Sequence, residues 1–550
     1  MPGCKQCQSS FEVSDQDRAF YRKMNVPEPT LCPHCRQQRR LTFRNERSLY
    51  KRKCDATGKL IISMYNPDAP FPVYSQEYWY GDGWDPKEYG QEFDFGRPFF
   101  EQLKELISKV PRFALTITKS ENCEYNNFCA SSRNCYMSNR LGDSEEVYYS
   151  YLAIESKDIV DCYNVTRCQI CYEVVDADNC YDVFFGQNLS GCSVSRFLFD
   201  CRNAKHCFFC AGLRNAEYCF FNEPLSKEEY EKKIGEYEKL AHSKKEDLRK
   251  RFLKLCSEQI VPAYWGNKTE NVSGNYLLEC KNVFDSYDCT GLEDGRYAYG
   301  HIYGNNAMDT VFSYHIDWAY EFAAGTSSRN LLFCFNILEN CYNMTYCMDC
   351  VNNCHDCFGC IGLKHAQYCI LNKQYSKEEY EALVPKIIEH MKQTGEWGEF
   401  FPITLSPFGY NETVAQEYFP LKKEEVSAKG WKWKEEESDL MKVEKIIPAG
   451  RLPDSISDIP DDILNWAIEC EVTKKLFKII PQELKFYHRF NLPVPRKCPD
   501  QRHLERIALR NPRKLWDRQC AKCRTAIKTT YSPDRPEIVY CEACYLKEVY

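Results

Sequence analysis

Cys4 and Cys7, followed by Cys32 and Cys35, form two CxxC pairs, and Cys520, Cys523, Cys541 and Cys544 repeat the arrangement near the other end of the chain. A CxxC knuckle presents two thiols on one side of a tight turn. Two knuckles together bring four soft thiolates onto one ion, with Zn–S near ~2.3 Å. The proline in Cys32-Pro33-His34-Cys35 presets such a turn. Four thiolates close the coordination sphere, so the chemistry to expect is structural: the ion supplies folding free energy that a small lobe cannot obtain from core burial. The spacing predicts two structural Zn2+ ions. Iron in a rubredoxin-like site is the competing cofactor, because a thiolate quartet alone does not separate the two metals. Redox use of the pairs would need a thioredoxin-like βαβ pattern, which the flanking sequence lacks.

Cations crowd beside both quartets. Arg36, Arg39, Arg40, Arg44, Arg47 and Arg52 follow the first, and Arg510, Arg513 and Arg518 precede or enter the second, with Phe43, Tyr50 and Trp516 interleaved. Zinc knuckles with adjoining arginines and aromatics suit a phosphate backbone and unstacked bases, which points to nucleic acid, RNA ahead of DNA. The same arginines could instead pair within an acidic chain, since Asp and Glu outnumber Lys and Arg by 79 to 72 and the net charge is −7.

The two ends are related. Shifting the chain by 466 positions lays Cys4 on Cys470 and Phe11–Cys54 on Phe477–Cys520 without a gap. Phe-Tyr, Asn-x-Pro-x-Pro, Cys-Pro-x-x-Arg and Arg-Asn-x-Arg-x-Leu coincide. Each end thus derives from a unit with two quartets in series. The N-terminal end keeps its first quartet, while its second is reduced to Cys54 with Thr57, Ser75 and Tyr78. The C-terminal end keeps its second quartet, while its first is reduced to Cys470 and Cys498 with Thr473 and Gln501.

A second duplication fills the middle. Cys201–Glu231 matches Val351–Glu381, and each copy follows an apolar-periodic helix, Phe99–Pro111 or Arg251–Pro262. Each ends in a "SKEEYE" helix opened by Ser226 or Ser376 as a capping box. Between them recur short strand-like phrases such as "DCYNV", "ICYEV" and "NCYDV". Cys162, Cys171 and Cys180 stand nine apart, and a longer return is expected at roughly 18–21 residues. This pattern predicts β-solenoid modules with cysteine as a small apolar residue facing inward. The run Cys347, Cys350, Cys354, Cys357 and Cys360 could alternatively ligate a metal cluster, but the first copy retains few of those cysteines.

The expected fold is mainly β with α braces, terminal zinc-ribbon lobes flanking two tandem cysteine- and tyrosine-rich modules. The expected boundaries are 1–97 (ribbon lobe), 98–250 and 251–395 (helix plus module), 396–467 (a linker with short helices, including the charged "GWKWKEEESDL") and 468–550 (ribbon lobe). No signal-peptide pattern opens the sequence and no apolar run is long enough for a bilayer, so the 34 cysteines are expected reduced, in the cytoplasm. No GxSxG, P-loop, HExxH, post-strand GxGxxG or deaminase signature is present, and no catalytic residue is expected. The expected function is non-enzymatic binding of nucleic acid. The alternatives are a protein-interaction scaffold using the module faces, and a redox or iron–sulfur protein using the central cysteines. No membrane partner or small-molecule substrate is expected.

Four stretches carry a resemblance: Phe20–Arg40, Asn45–Tyr65, Trp84–Gln102 and the paired "SKEEYE" endings. Over nearly its whole length the chain resembles a group of large cysteine-rich zinc-ribbon proteins of candidate-phyla bacteria. That resemblance implies the architecture and no particular activity.

Overall fold

The computed structural model describes residues 2–549, apart from 314–315, 318–319, 322–327, 330–331, 334–340, 436–442 and 444. Most of the acidic part of "GWKWKEEESDL" lies outside the described residues. The chain is mixed, with 31% strand and 27% helix, so the helical share is larger than a mainly-β reading expected.

Two parallel strand ladders occupy the middle. The first runs from Ile117–Thr118 to Cys219–Phe220, and only its last strand, Glu223–Pro224, pairs antiparallel. Neighbouring strands are displaced by one constant interval: Asn139 faces Tyr151, Lys157 faces Gln169, and Cys171 faces Val183. The interval is twelve residues, as in the Ser138–Ser150 hydrogen bond, rather than the expected 18–21. The second ladder starts at Gly266–Asn267 with a shorter step, takes up the twelve-residue interval after a bulge at Val272/Gly274, and lengthens by one residue where Tyr342 faces His355. Gly274 sits there at φ 144°, and a Cβ would lie 1.8 Å from the Ser286 carbonyl oxygen, so only glycine fits.

Inside each twelve-residue interval the backbone repeats every three residues. From Phe128 to Asn188 every third residue has a left-handed φ, and none of them is glycine. Asn and Asp are common there, because their short polar side chains tolerate that region best. The residue after each left-handed position faces inward: Cys162 follows Asp161, and Cys171 follows Ile170. These inner positions form a narrow core of Cys, Val, Leu, Ile and Ala, joined by buried serines.

Hydrogen-bond accounting explains why cysteine and serine are concentrated there. The left-handed residue donates its N–H to a carbonyl on one neighbouring strand, as Asp161 does to Tyr148 (3.1 Å). The outward residue donates to the other neighbour, as Tyr151 does to Cys162 (3.0 Å). The inner N–H instead points at the inner side chain one interval earlier. Cys162 donates to Ser150 Oγ (3.0 Å), Cys168 to Ser156 Oγ (3.1 Å) and Asn222 to Cys210 Sγ (3.4 Å). A buried N–H needs an acceptor, which Oγ or Sγ supplies here, and at Asn126 the amide Oδ1, which accepts the Ser138 N–H (2.8 Å). The same hydroxyl or thiol donates to the carbonyl two residues back, as Ser150 does to Tyr148 and Cys162 to Val160.

The terminal lobes bracket the ladders crosswise. The N-terminal lobe shares a core with the second ladder through Tyr21, Phe43, Met308, Tyr320 and Tyr346. The C-terminal lobe packs on the first ladder through Leu484, Phe486, Tyr487, Tyr172 and Phe184. The duplicated hairpins reappear in matching places, Tyr50–Lys53 with Leu60–Ser63 and Trp516–Gln519 with Ala526–Thr529. Both "SKEEYE" helices start in full capping boxes at Ser226 and Ser376. The Phe99–Lys109 helix forms as expected. The expected Arg251–Pro262 helix is instead His242–Ser257, because Ile260–Pro262 leaves it to pair with Ile538–Tyr540 of the C-terminal lobe. Among the described residues no helix is long and apolar enough to cross a membrane.

Candidate metal centres and the arginine clamps

Each intact quartet converges. In Cys4, Cys7, Cys32 and Cys35, and again in Cys520, Cys523, Cys541 and Cys544, the four Sγ atoms lie within 4.8 Å of one another. Cys7 Sγ is 3.8 Å from Cys32 Sγ, and Cys523 Sγ is 3.6 Å from Cys541 Sγ. A regular tetrahedron with metal–sulfur bonds of ~2.3 Å has edges of about 3.8 Å, so these separations suit one ion per quartet. The donor set is all thiol, which favours a soft or borderline ion. Among the described residues these two quartets are the groups of three or more Cys, His, Asp or Glu side chains that could hold a metal.

Backbone geometry prepares the sulfurs. Cys4 opens a knuckle in which its N–H reaches Ser9 O (2.9 Å), and Gln8, at φ 62°, donates back to Cys4 O (2.9 Å). Cys32 N-caps the Pro33–Leu41 helix, and Cys32 N–H donates to Cys4 Sγ (3.3 Å). Such donors favour thiolate over thiol. Hydrogen bonding from Cys35 holds Cys32 down at about 6 against its burial, and the same contact pushes Cys35 up. At the other end hydrogen bonding with Thr525 lowers Cys523 to about 6, and that with Cys541 raises Cys544 to about 12. The N-terminal quartet is sealed apart from Cys7, whereas Cys523 is exposed and Cys541 and Cys544 are half-buried.

All four knuckles survive, including the two that have lost ligands. Cys54 N–H reaches Lys59 O at 2.8 Å, Cys470 reaches Lys475 O at 3.0 Å and Cys520 reaches Thr525 O at 2.9 Å. Gly58, Lys474 and Arg524 repeat the left-handed φ of Gln8, at 71°, 62° and 65°. Where a thiol is missing, a hydroxyl stands in: Thr473 Oγ1 is 3.4 Å from Cys498 Sγ, and Ser75 caps the Gln76–Tyr80 helix while its N–H donates to Cys54 Sγ (3.2 Å). Among the described residues the central cysteines lie along the ladders and none joins a group that could hold a metal. Cys350, Cys354, Cys357 and Cys360 each donate a thiol hydrogen to a nearby carbonyl.

The arginines are turned inward. Arg36, Arg39, Arg40, Arg44 and Arg52 are between 0% and 7% exposed. Arg36 Nε lies 2.9 Å from Asp309 Oδ2 and Arg40 Nη1 lies 3.1 Å from Asp309 Oδ1, so two arginines one helical turn apart grip one buried aspartate of the second ladder. Arg39 binds Glu321 (2.6 Å) and Glu399 (2.8 Å). The C-terminal lobe repeats the grip on the first ladder: Arg502 pairs with Asp161, and Arg506 Nη1 lies 2.7 Å from Asp161 Oδ1. Asp161 and Asp309 both occupy left-handed positions and both are 0% exposed. Arg510 reaches Asp176 of the first ladder (2.9 Å) and Asp288 of the second (2.5 Å), and so joins the two. Arg513 shares Asp288 (3.3 Å) and lies over Tyr299 and Tyr418.

Arg36, Arg39, Arg40, Arg44, Arg47, Arg52, Arg510 and Arg513, the arginines expected to meet nucleic acid, thus sit against the chain's own acidic groups. Arg47 is engaged by Asp500 (2.8 Å), Arg44 by Glu46 and Arg52 by Asp55 (2.8 Å), so these guanidiniums bond the chain's own carboxylates. Arg518 is half-buried and donates to Ser532 O (3.3 Å). Asp161, Asp309, Asp288 and Glu321 are the partners that sequence reading missed. No local sequence signal marks them, because the arginines that meet each one lie hundreds of residues away.

No protein-family model matches the chain, and no curated protein matches it by sequence.

Proposed function

We propose that the chain is a non-catalytic scaffold. Two zinc ions staple its terminal ribbons, the two ladders are β-solenoids with twelve-residue turns, and their outward faces bind another protein. The observation that carries this reading is the crossed pair of arginine clamps. The cations best placed to meet a phosphate backbone hold the molecule together instead, and a guanidinium bonded to a buried carboxylate is not available to a ligand without leaving that carboxylate unpaired. The outward rows are regular and polar. Arg133, Glu145 and Lys157 form one chain of ion pairs, and Asn271, Asn282 and Asp294 form one hydrogen-bonded row. Zinc is favoured over iron because a closed, all-thiolate structural site is its commonest use.

Nucleic-acid binding keeps a foothold beside the exposed C-terminal quartet, where Lys522, Arg524 and Lys528 reach the surface. In-cell cross-linking separates the two readings. The scaffold predicts protein cross-links at Lys157, Lys205, Lys268 and Lys281, all exposed on outward rows. RNA cross-links concentrated at Lys522–Lys528, with binding by the purified chain that weakens steeply as salt rises, would replace it with the nucleic-acid reading.

A further inference from the structure

A cavity of about 30 Å³ lies where the His242–Ser257 helix, the first ladder and the C-terminal lobe meet. We propose that it binds a small tetrahedral oxyanion, phosphate or sulfate. Six cations wall it from separate parts of the chain, Lys245, Arg249, Arg496, Lys497, Arg502 and Arg506, of which Arg502 and Arg506 stay bonded to Asp161 and lend the site only their charge. Such a space holds roughly two to three waters, which suits one compact ion.

Lys245 and Arg249 share Glu173 at 2.7 and 3.7 Å, Arg249 and Lys497 share Glu505 at 3.2 and 2.8 Å, and Arg502 and Arg506 share Asp161. Each of these carboxylates is thus divided between two cations. Glu483, which also reaches Arg502, has its pKa raised by burial. The remaining acids of the lining, Glu246 and Glu471, are half-exposed and exposed, where water screens them. Arg496 lies 3.6 Å from Asp454, whose side chain is 47% exposed at the rim, so the buried wall sets six cations against Glu173, Glu505, Asp161 and Glu483. His242 on its wall agrees: burial, then Arg496 and Lys245, push it down to about 4.

Arg496 and Lys497 stand immediately before Cys498, in the quartet that has lost its metal. The matching positions of the N-terminal lobe, whose quartet is intact, are Thr30 and Leu31. The clamp arginines recur in both lobes, but these two cations belong to the C-terminal lobe alone. They are additional to the clamp, and they line the cavity together with Lys245 and Arg249.

The test uses the full-length, metal-loaded chain with sodium phosphate or sulfate against sodium chloride at constant ionic strength. The thermal midpoint and the calorimetric heat should rise saturably with phosphate or sulfate and not with chloride. Lys497→Met should weaken binding at least about tenfold, the cost of one charge-assisted hydrogen bond, and Arg249→Met should do the same. Glu471→Gln should bind at least as tightly as the unaltered chain. A response equal to that of chloride, unchanged affinity in both cation variants, or weaker binding in the glutamine variant would overturn the site. The scaffold reading would stand in any of these cases, because it does not depend on the cavity.

Discussion

Ser150→Ala isolates the hydrogen bond that explains the cysteine and serine content of the ladders. Ser150 is 0% exposed, donates to Tyr148 O (2.9 Å) and accepts the Cys162 N–H (3.0 Å). Tyr148 O keeps a second donor, the Asp161 N–H at 3.1 Å, so removing the hydroxyl leaves one group stranded, the Cys162 N–H. An unsatisfied buried donor costs about 1–3 kcal/mol, with little cavity cost because only an oxygen is lost. Ser150→Cys restores an acceptor of the kind that Asn222 uses at Cys210 Sγ, and its cost should stay below about 1 kcal/mol. The predicted order is therefore Ser, then Cys, then Ala. Global denaturation of so long a chain is not two-state, so the assay is native-state hydrogen exchange read at the Cys162 amide. Protection should fall roughly tenfold or more in Ser150→Ala, since 1.4 kcal/mol corresponds to tenfold, and recover mostly in Ser150→Cys. Unchanged exchange in the alanine variant, or a cysteine variant as damaged as the alanine one, would refute the inner-row account.

Three further outcomes follow from the clamps, the metal centres and one buried histidine. Asp309→Asn removes the carboxylate shared by Arg36 and Arg40 and should destabilise the N-terminal lobe's contact with the second ladder by about 3–5 kcal/mol. Limited proteolysis should then cut the N-terminal lobe early, and a variant as resistant as the parent would contradict the clamp. A chelator should strip metal in two phases, the C-terminal quartet first, because Cys523 is exposed while Cys4, Cys32 and Cys35 are buried; with Cys523→Ser the fast phase should vanish and the slow one remain. His301 sits at an inner ladder position, and burial lowers its pKa from 6.5 to about 4. Between those values the unfolded chain binds the extra proton, so this group's contribution of about 3 kcal/mol is complete above pH 6.5 and is lost as pH falls towards 4. His301→Gln should flatten the acid limb of a pH-stability profile, and an unaltered slope would rule His301 out as its source.

The quartets were legible because metal ligation fixes both residue type and spacing, and the terminal duplication because it preserves register without a gap. The capping boxes at Ser226 and Ser376 were legible because they are local. The twelve-residue interval was hidden. Inner positions accept Cys, Ser, Val, Ala or Leu almost interchangeably, so the three-residue period surfaces only where cysteines fall on it, and Cys162, Cys171 and Cys180 suggested nine. The direction of the arginines was not readable at all. A basic run looks the same facing solvent or facing Asp309, which lies 273 residues from Arg36. The matching recurrence of Arg36 and Arg40 as Arg502 and Arg506 was the trace of a packing role, since a duplicated lobe must grip its neighbour in the same way each time.

Metal content per chain tests the central claim most directly. Protein purified without added metal or chelator and assayed by elemental analysis should contain two zinc ions, falling to one when Cys32 is replaced by serine and to none when Cys541 is replaced as well. Fewer than two ions in the unaltered chain, four or more, or iron with inorganic sulfide would contradict the assignment of two closed thiolate centres at the ends and metal-free thiols between them.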